Sequence, residues 1–411
     1  MTPPMPTNLN QTPYRWYILG LAAFTFTFSM AMQLMALPVL FQEISDDLQL
    51  TLVQVGAIWG MGSLTGILTG LVGGSIGDRF GAKRTLTVLC FLAGLAGVSR
   101  GFATDFFTFS LAVFFFGLVT PAIPMNVHKT CGIWFPGRNL GLANGVVSAG
   151  MALGFMIASL ISATLVSPWL GGWRNVLFLY GVISMLMSIP WALSRDAMSD
   201  GAHSKSQNAS SSMKQTFLKI MRLRPIWLFG LAIFGINGCI QGTLGYLPLY
   251  LRNIGWPIEQ ADGALAMFHA TSLIATIPIS LLSDRLGSRK KILILAAIMS
   301  ATGVGLLSVV NGLLVWGAVI IAGLFRDGFM AIFMTAVIEI EGVGGENAGT
   351  ATGLIMVFLQ LGTVLAPPIG NSLARFAPNV PFVFWMAFAL IGLACLYLIQ
   401  EKNASQEAIR H

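Results

Sequence analysis

"GGSIGDRFGAKR" (residues 73–84) and, 206 residues further on, "ISLLSDRLGSRK" (279–290) carry the same order of acid, base, glycine and base, with Asp78 answering Asp284. Each copy follows one long apolar run and leads into another. A second pair agrees with the first. "NLGLANG" (139–145) and "NAGTATG" (347–353) open corresponding apolar runs, 208 residues apart from Gly145 to Gly353. Two matches at nearly one offset, each at the same place in its half, imply internal duplication of a helical unit.

The composition says what that unit is made of. Of the 411 residues, 55% are hydrophobic and 9% charged, whereas a soluble domain is about 45–50% apolar with roughly a quarter of its residues charged. A run of about 20 apolar residues crosses the hydrocarbon core. Such runs occur at 15–40, 52–76, 85–104, 106–134, 140–166, 172–194, 225–251, 260–282, 291–309, 312–340, 349–373 and 380–400. The expected fold is an all-α membrane protein, twelve transmembrane helices in two pseudo-symmetric six-helix bundles. The polar stretch 194–225, rich in Ser, Asn and charge, divides the runs six and six. The expected units are an N-terminal bundle over 1–194, a cytoplasmic linker over 195–224 and a C-terminal bundle over 225–411. The first 14 residues show neither a positive cluster nor a cleavage site, so no signal peptide is read there. Cys90, Cys131, Cys239 and Cys395 each fall inside an apolar run and read as small buried residues.

Charge placement orients the chain. Of the 23 lysines and arginines, 17 fall in the segments on the side of both termini. Four (Arg100, Arg174, Arg252, Arg375) fall in the opposite loops, and two (Lys129, Arg326) lie inside runs. The positive-inside rule puts the termini and the linker in the cytoplasm. The net charge of +7 is then a topology signal matched to the lipid bilayer and its anionic head groups, not a nucleic-acid footprint.

With these features the sequence resembles the major facilitator superfamily over essentially its whole length. The family's loop motif, Gly-x-x-x-Asp-Arg/Lys-x-Gly-x-Arg/Lys-Arg/Lys, is matched by Gly74, Asp78, Arg79, Gly81, Lys83 and Arg84. In the second copy Asp284, Arg285, Gly287, Arg289 and Lys290 match, and Ser280 stands where the first glycine belongs. "GGWRN" (171–175) is a further shared feature. Gly74, Asp78, Arg79, Gly81, Arg84, Asp284 and Arg285 are the expected gating residues. A carboxylate at one helix end can meet the N–H groups of a neighbouring helix start in one packing of the halves and lose them in the other.

"AGLFRDGFMAIF" (322–333) sets Arg326 and Asp327 inside a long apolar run. An arginine at mid-helix costs about 2.5–3.5 kcal/mol on the insertion scale, so such residues face a bundle interior or an aqueous cavity. They either pair for structure or serve function, Arg326 as an anion ligand and Asp327 as its tuner or a proton carrier. "PAIPMNVHKTCGIWFP" (121–136) adds Asn126 and Lys129 on one helical face, with His128 turned away and Pro121 and Pro124 interrupting the helix. Lys129 either lines the pathway or snorkels to the interface. "GINGCIQGTLGY" (235–246) is glycine-rich and sets Asn237 and Gln241 four apart on one face. The resemblance implies that spans one, four, seven and ten line a central cavity. It would gather Gln33, Asn126, Lys129, Asn237, Gln241, Arg326 and Asp327, with His269 and Gln360 as further substrate-binding candidates. Asp327 and His128 are the proton-coupling candidates.

No nucleotide-binding, zinc-protease or nucleophile-elbow motif is present, and the four histidines are scattered, so neither an enzyme nor a cofactor is expected. The drug/proton antiporter branch carries Gly-Pro in the fifth span. Here "GVVSAGMALGFMIAS" (145–159) keeps Gly150 and Gly154 but has Phe155 at the proline position. Two buried positive charges against one negative favour a small anion. The expectation is a secondary transporter of a small organic or inorganic anion in a bacterial-type inner membrane, taking it up with protons. The resemblance is to the anion-handling branches, those of cyanate/nitroimidazole, oxalate/formate and monocarboxylate porters. A drug-type efflux antiporter and a non-transporting membrane sensor are the alternatives.

Overall fold

A computed structural model of the chain describes residues 13–69, 80–136, 139–195, 213–286, 289–340 and 343–399. The side chains of Asp284, Arg285, Asp327 and a few other helical residues lie outside that description. Every regular element among the described residues is a helix. In chain order these are α1 (Tyr14–Leu48), α2 (Leu52–Thr69), α3 (Ala82–Gly101), α4 (Phe106–Trp134), α5 (Leu140–Leu170) and α6 (Trp173–Leu193). After the linker come α7 (Met213–Met221), α8 (Arg224–Asn253), α9 (Ile258–Leu286), α10 (Arg289–Leu306), α11 (Leu314–Gly323), α12 (Arg326–Ile338), α13 (Gly344–Leu373) and α14 (Val380–Leu398). Eight helices are long and apolar enough to cross a membrane: α1, α3, α4, α5, α6, α8, α13 and α14.

The duplication read from the motifs recurs in the helix starts. Leu52 and Ile258, Ala82 and Arg289, Phe106 and Leu314, and Trp173 and Val380 lie 206, 207, 208 and 207 residues apart. Packing repeats as well: α3 lies on α6 as α10 lies on α14, α2 on α4 as α9 on α11, and α1 on α5 as α8 on α13. Between the repeats, α2 meets α13 and α5 meets α9. Exchanging the repeats turns either of these pairs into the other, as a two-fold relation requires.

Without a hydrophobic drive between helices in lipid, close backbone approach supplies the contact energy, and small residues permit it. At the α3–α6 crossing, a Cβ on Gly94 would lie 2.5 Å from the carbonyl oxygen of Gly181. The "GGWRN" turn has a different need. Gly171 and Gly172 hold φ of +82° and +128°, which other residues rarely adopt. The turn delivers Trp173, whose Nε1 donates to Asp47 Oδ2 at 3.1 Å, and Arg174, which pairs with the same carboxylate. The end of α1 is thereby tied to the start of α6.

At the start of α4, Asp105 Oδ1 accepts from the Thr108 backbone N–H at 2.8 Å, while the Thr108 side chain reaches back to the cap. That backbone hydrogen bond, with its neighbours, holds the Asp105 carboxyl below the usual carboxylate range. Stabilisation from a depressed carboxylate is present above the unfolded value, about 3.9, and is lost as pH falls through the folded one. Asparagine caps about as well as aspartate. Asp105→Asn is therefore expected to melt with the wild type at neutral pH and to lose less than it does in acid, as thermal unfolding across a pH series would show.

Three details depart from the sequence reading. Arg100, expected in a loop, is fully buried at the end of α3. Arg252, also expected in a loop, occupies the last turn of α8 with its side chain 8% exposed. Each guanidinium finds acceptors on another helix, so turning inward costs less than loop placement suggests. The run 312–340 is not one helix: it breaks at Leu324–Phe325, and Arg326 opens α12 instead of sitting in mid-helix. Gly323 packs so close to α9 that a Cβ there would lie 2.6 Å from the Phe268 carbonyl oxygen.

Candidate functional site

A cavity of about 250 Å³ lies between α8, α12, α13 and α5. Asn237 and Gln241 line it from α8, where their spacing of four sets them on one face. Arg326, Phe329 and Met330 line it from the first turns of α12, Leu359 from α13 and Met151 from α5. Ile233, Ile236 and Ile240 complete the wall. Among these residues Arg326 carries the only formal charge.

The break before α12 matters to that charge. A helix start leaves backbone N–H groups without intrahelical acceptors and carries a partial positive charge. Phe325, the residue before α12, offers no side-chain cap. The Arg326 guanidinium and the positive end of α12 therefore add at one place, and both favour an anion. Gln241 supplies a polar handle, its buried Oε1 having no hydrogen-bond partner among the described residues. Asn237 is committed elsewhere, donating to Thr363 Oγ1 at 2.7 Å and to Leu359 O at 3.2 Å. It fixes α8 to α13.

Phe155 of α5 reaches across from the other repeat. Its ring lies 5.0 Å from Arg326 Cζ and 5.2 Å from the His269 ring of α9. It thus separates a guanidinium from an imidazole. His269 is 1% exposed, and neither ring nitrogen has a hydrogen-bond partner among the described residues. The bulky residue in place of the antiporter-branch proline is what fills this seam.

Gln33, Asn126, Lys129, His128 and Gln360 are not among the residues that line the cavity. Gln33 is fully buried: its Oε1 accepts from Arg100 Nη2 and its carbonyl oxygen from Arg100 Nη1, both at 3.0 Å. Arg100 also stacks on Phe116 at 4.2 Å. Asn126 is buried and donates to Ala122 O at 2.8 Å on its own helix. Lys129 is half-buried; His128 is exposed, with Nδ1 3.0 Å from Asn144 Oδ1 on α5. Gln360 packs toward α2, where a Cβ on Gly66 would meet its Nε2. Asp327 belongs to α12, but its side chain lies outside the described residues, as do Gly74, Asp78, Arg79 and Gly287. Gly81 has φ +83° at the start of α3, Arg84 is exposed, and Asp284 and Arg285 end α9. Glu339 pairs with Arg289 at 2.9 Å. Sequence reasoning missed Arg100, Arg252 and the α12 break; charged residues at the ends of apolar runs were the available signal for the two arginines.

Hydrogen bonds join the repeats. Trp59 Nε1 donates to Gln241 O at 2.8 Å, and Asn371 Nδ2 donates to Leu52 O at 2.9 Å. Gly56 packs against Pro367 and Pro368 between them. These contacts run from the cavity toward the end of the molecule where Gln49, with φ of +53°, turns the chain from α1 toward α2.

A family model, Major Facilitator Superfamily, matches residues 19–340 and 251–410. The chain is 24% identical to a probable nitrate/nitrite antiporter of Thermus thermophilus, over 97% of this chain and 94% of that one. It is 23% identical to a probable sulfoacetate transporter of Cupriavidus necator, over 86% of each. Among solved structures, a bacterial homolog to the human lysosomal transporter Spinster, inward-facing and occupied, superposes with a TM-score of 0.78 at 15% identity, covering 94% of this chain and 97% of that one. This last likeness is one of fold.

Proposed function

The chain belongs to the Major Facilitator Superfamily, and we propose that it moves a small organic or inorganic anion across the membrane by alternating access. The units are two six-helix bundles, 1–194 and 225–411, joined by the linker 195–224. In this reading both termini face the cytoplasm of a bacterial-type inner membrane, and uptake is coupled to protons. The observation that carries the proposal is Arg326, placed at the positive start of α12 on the wall of a cavity whose other lining residues are neutral. A guanidinium binds an oxyanion bidentately, with a geometry an ammonium cannot match. The relatives named above as nitrate/nitrite and sulfoacetate transporters support the substrate class. The first is named an antiporter, so anion exchange is the competing mode to proton-coupled uptake.

The packing supports such a cycle. In this reading the hydrogen bonds Trp59–Gln241 and Asn371–Leu52 hold the Gln49 end closed, and Trp59 is held by the backbone of a cavity residue. A solute drawn to Arg326 and Gln241 would bear directly on the helix that carries this closure. Opening the Gln49 end must break both bonds and part α2 from α13. Asp327 and His128 remain proton candidates on the sequence argument, and Arg326, Asn237 and Gln241 the substrate ligands. Asn126, Lys129, Gln33, His269 and Gln360 would join them only after the helices shift.

The test is a thermal-shift series on the purified wild type with nitrate, sulfoacetate, oxalate and acetate, set against quaternary ammonium cations at matched ionic strength. At least one oxyanion is expected to raise the melting temperature. Stabilisation by the cations alone would instead favour drug-type efflux. Flux of the stabilising anion into proteoliposomes then separates a transporter from a sensor, which would bind without flux.

A further inference from the structure

Beneath the Gln49 end lies a second group of charges that the cavity does not use. Asp262, in the first turns of α9, is 0% exposed. Its Oδ1 receives Arg252 Nη2 at 2.5 Å, from the last turn of α8. Its Oδ2 is buried with no hydrogen-bond partner among the described residues, and so is Arg252 Nε. A buried carboxylate normally has both oxygens satisfied, because an unsolvated charge is costly. Here one oxygen is left over.

The surroundings do not supply the missing compensation. The charges that act on Asp262 are those of Arg252 of α8, Glu43 of α1 and Glu259 of α9, so three acids stand against one base. Glu43 comes from the other repeat, where its Oε2 accepts from Ser167 Oγ of α5 at 2.5 Å. With the Gln49 end packed as it is, the charge of Glu43 acts on Asp262 across the boundary between repeats. Repulsion in a poorly solvated place is strong, and adding one proton removes it.

We propose that Asp262 is a proton-binding site of the transport cycle, with Oδ2 as the atom that takes the proton. The inference rests on the proton-coupled reading above and names its carrier. Protonation at Oδ2 converts the carboxylate to a neutral acid and leaves Arg252 to answer Glu43 and Glu259, which lets the Gln49 end close. Opening that end separates Glu43 from Asp262 and lowers the affinity for the proton. Proton occupancy and the closed Gln49 end therefore favour each other.

Infrared difference spectra of the full chain in liposomes, between alkaline and mildly acidic buffer, read the site without any substrate. The wild type is expected to show the C=O stretch of a buried protonated carboxylic acid. Asp262→Asn should remove that band, Asp262→Glu should keep it at a shifted frequency, and Glu43→Gln should move its midpoint to lower pH. Asp327→Asn should leave it in place. Absence of the band in the wild type, its survival in Asp262→Asn, or an unchanged frequency in Asp262→Glu would overturn the assignment. Should Asp262→Asn not fold, Asp262→Glu decides alone. A parallel measurement follows a trapped pH dye as nitrate or acetate is added outside the liposomes. Proton movement in the wild type and its loss in Asp262→Asn, with anion-induced thermal stabilisation kept, is the expected pattern. If neither anion moves protons in the wild type, the coupled-uptake reading fails, and the infrared band still decides whether Asp262 holds a proton.

Discussion

Arg326→Ala is expected to weaken oxyanion binding roughly 10- to 150-fold. Hydrogen bonds to a charged group contribute about 1.5–3 kcal/mol, and each 1.4 kcal/mol is about tenfold in affinity. The guanidinium lines the cavity and lies 5.0 Å from the Phe155 ring, so alanine removes both the anion's fork and the stack that joins α12 to α5. Arg326→Lys keeps the charge but not the planar fork, and an intermediate loss is expected. Binding isotherms for the stabilising anion, with unfolding curves of the free proteins, separate the two effects. An alanine variant that binds the anion as tightly as the wild type would remove the basis for the anion site.

The second large effect is on folding itself. Gly235→Val is expected to abolish the folded protein in detergent. A Cβ on Gly235 would lie 2.2 Å from the Phe388 carbonyl oxygen and 3.2 Å from the Gly392 nitrogen. The contact is reciprocal, since a Cβ on Gly392 would meet the Ala232 carbonyl oxygen at 2.8 Å. α8 and α14 therefore touch backbone to backbone, and only a shift of a whole helix relieves the clash. Overpacking of a well-filled core costs about 1–3 kcal/mol even where side chains can give way, and a carbonyl on a helix cannot. Gly20→Ala is the control: nothing lies within 4 Å of the added carbon, and alanine is about 0.8–1.0 kcal/mol better than glycine in a helix. Size-exclusion profiles and melting temperatures of the two variants should diverge, one aggregated and one at or above the wild type.

Several readings came straight from the chain. The paired loop motifs placed a duplication at an offset that the helix starts reproduce, because a duplicated unit keeps its residue count wherever both copies fold alike. The spacing of Asn237 and Gln241 put both on one face of α8, and both line the cavity. A spacing of four on a continuous helix needs no tertiary information. Gln33 and Asn126 illustrate the limit. Each is polar, in an apolar run and buried, yet Gln33 answers Arg100, which is 67 positions away, and Asn126 answers its own helix. Periodicity tells which residues share a face, not which of several interior surfaces that face meets.

What the sequence alone determined was the class of molecule: a chain too apolar for water, duplicated and keeping a guanidinium in an apolar run. Those follow from composition and spacing, which act through each segment's own transfer energy. Only the tertiary structure decided that Arg326 begins a helix beside a cavity, that Arg100 and Arg252 turn inward, and that Asp262 is left with one unpaired oxygen. Each of these depends on acceptors, rings or carboxylates brought from a distant helix. A buried charge is stable or not according to those partners, and the local sequence does not contain them.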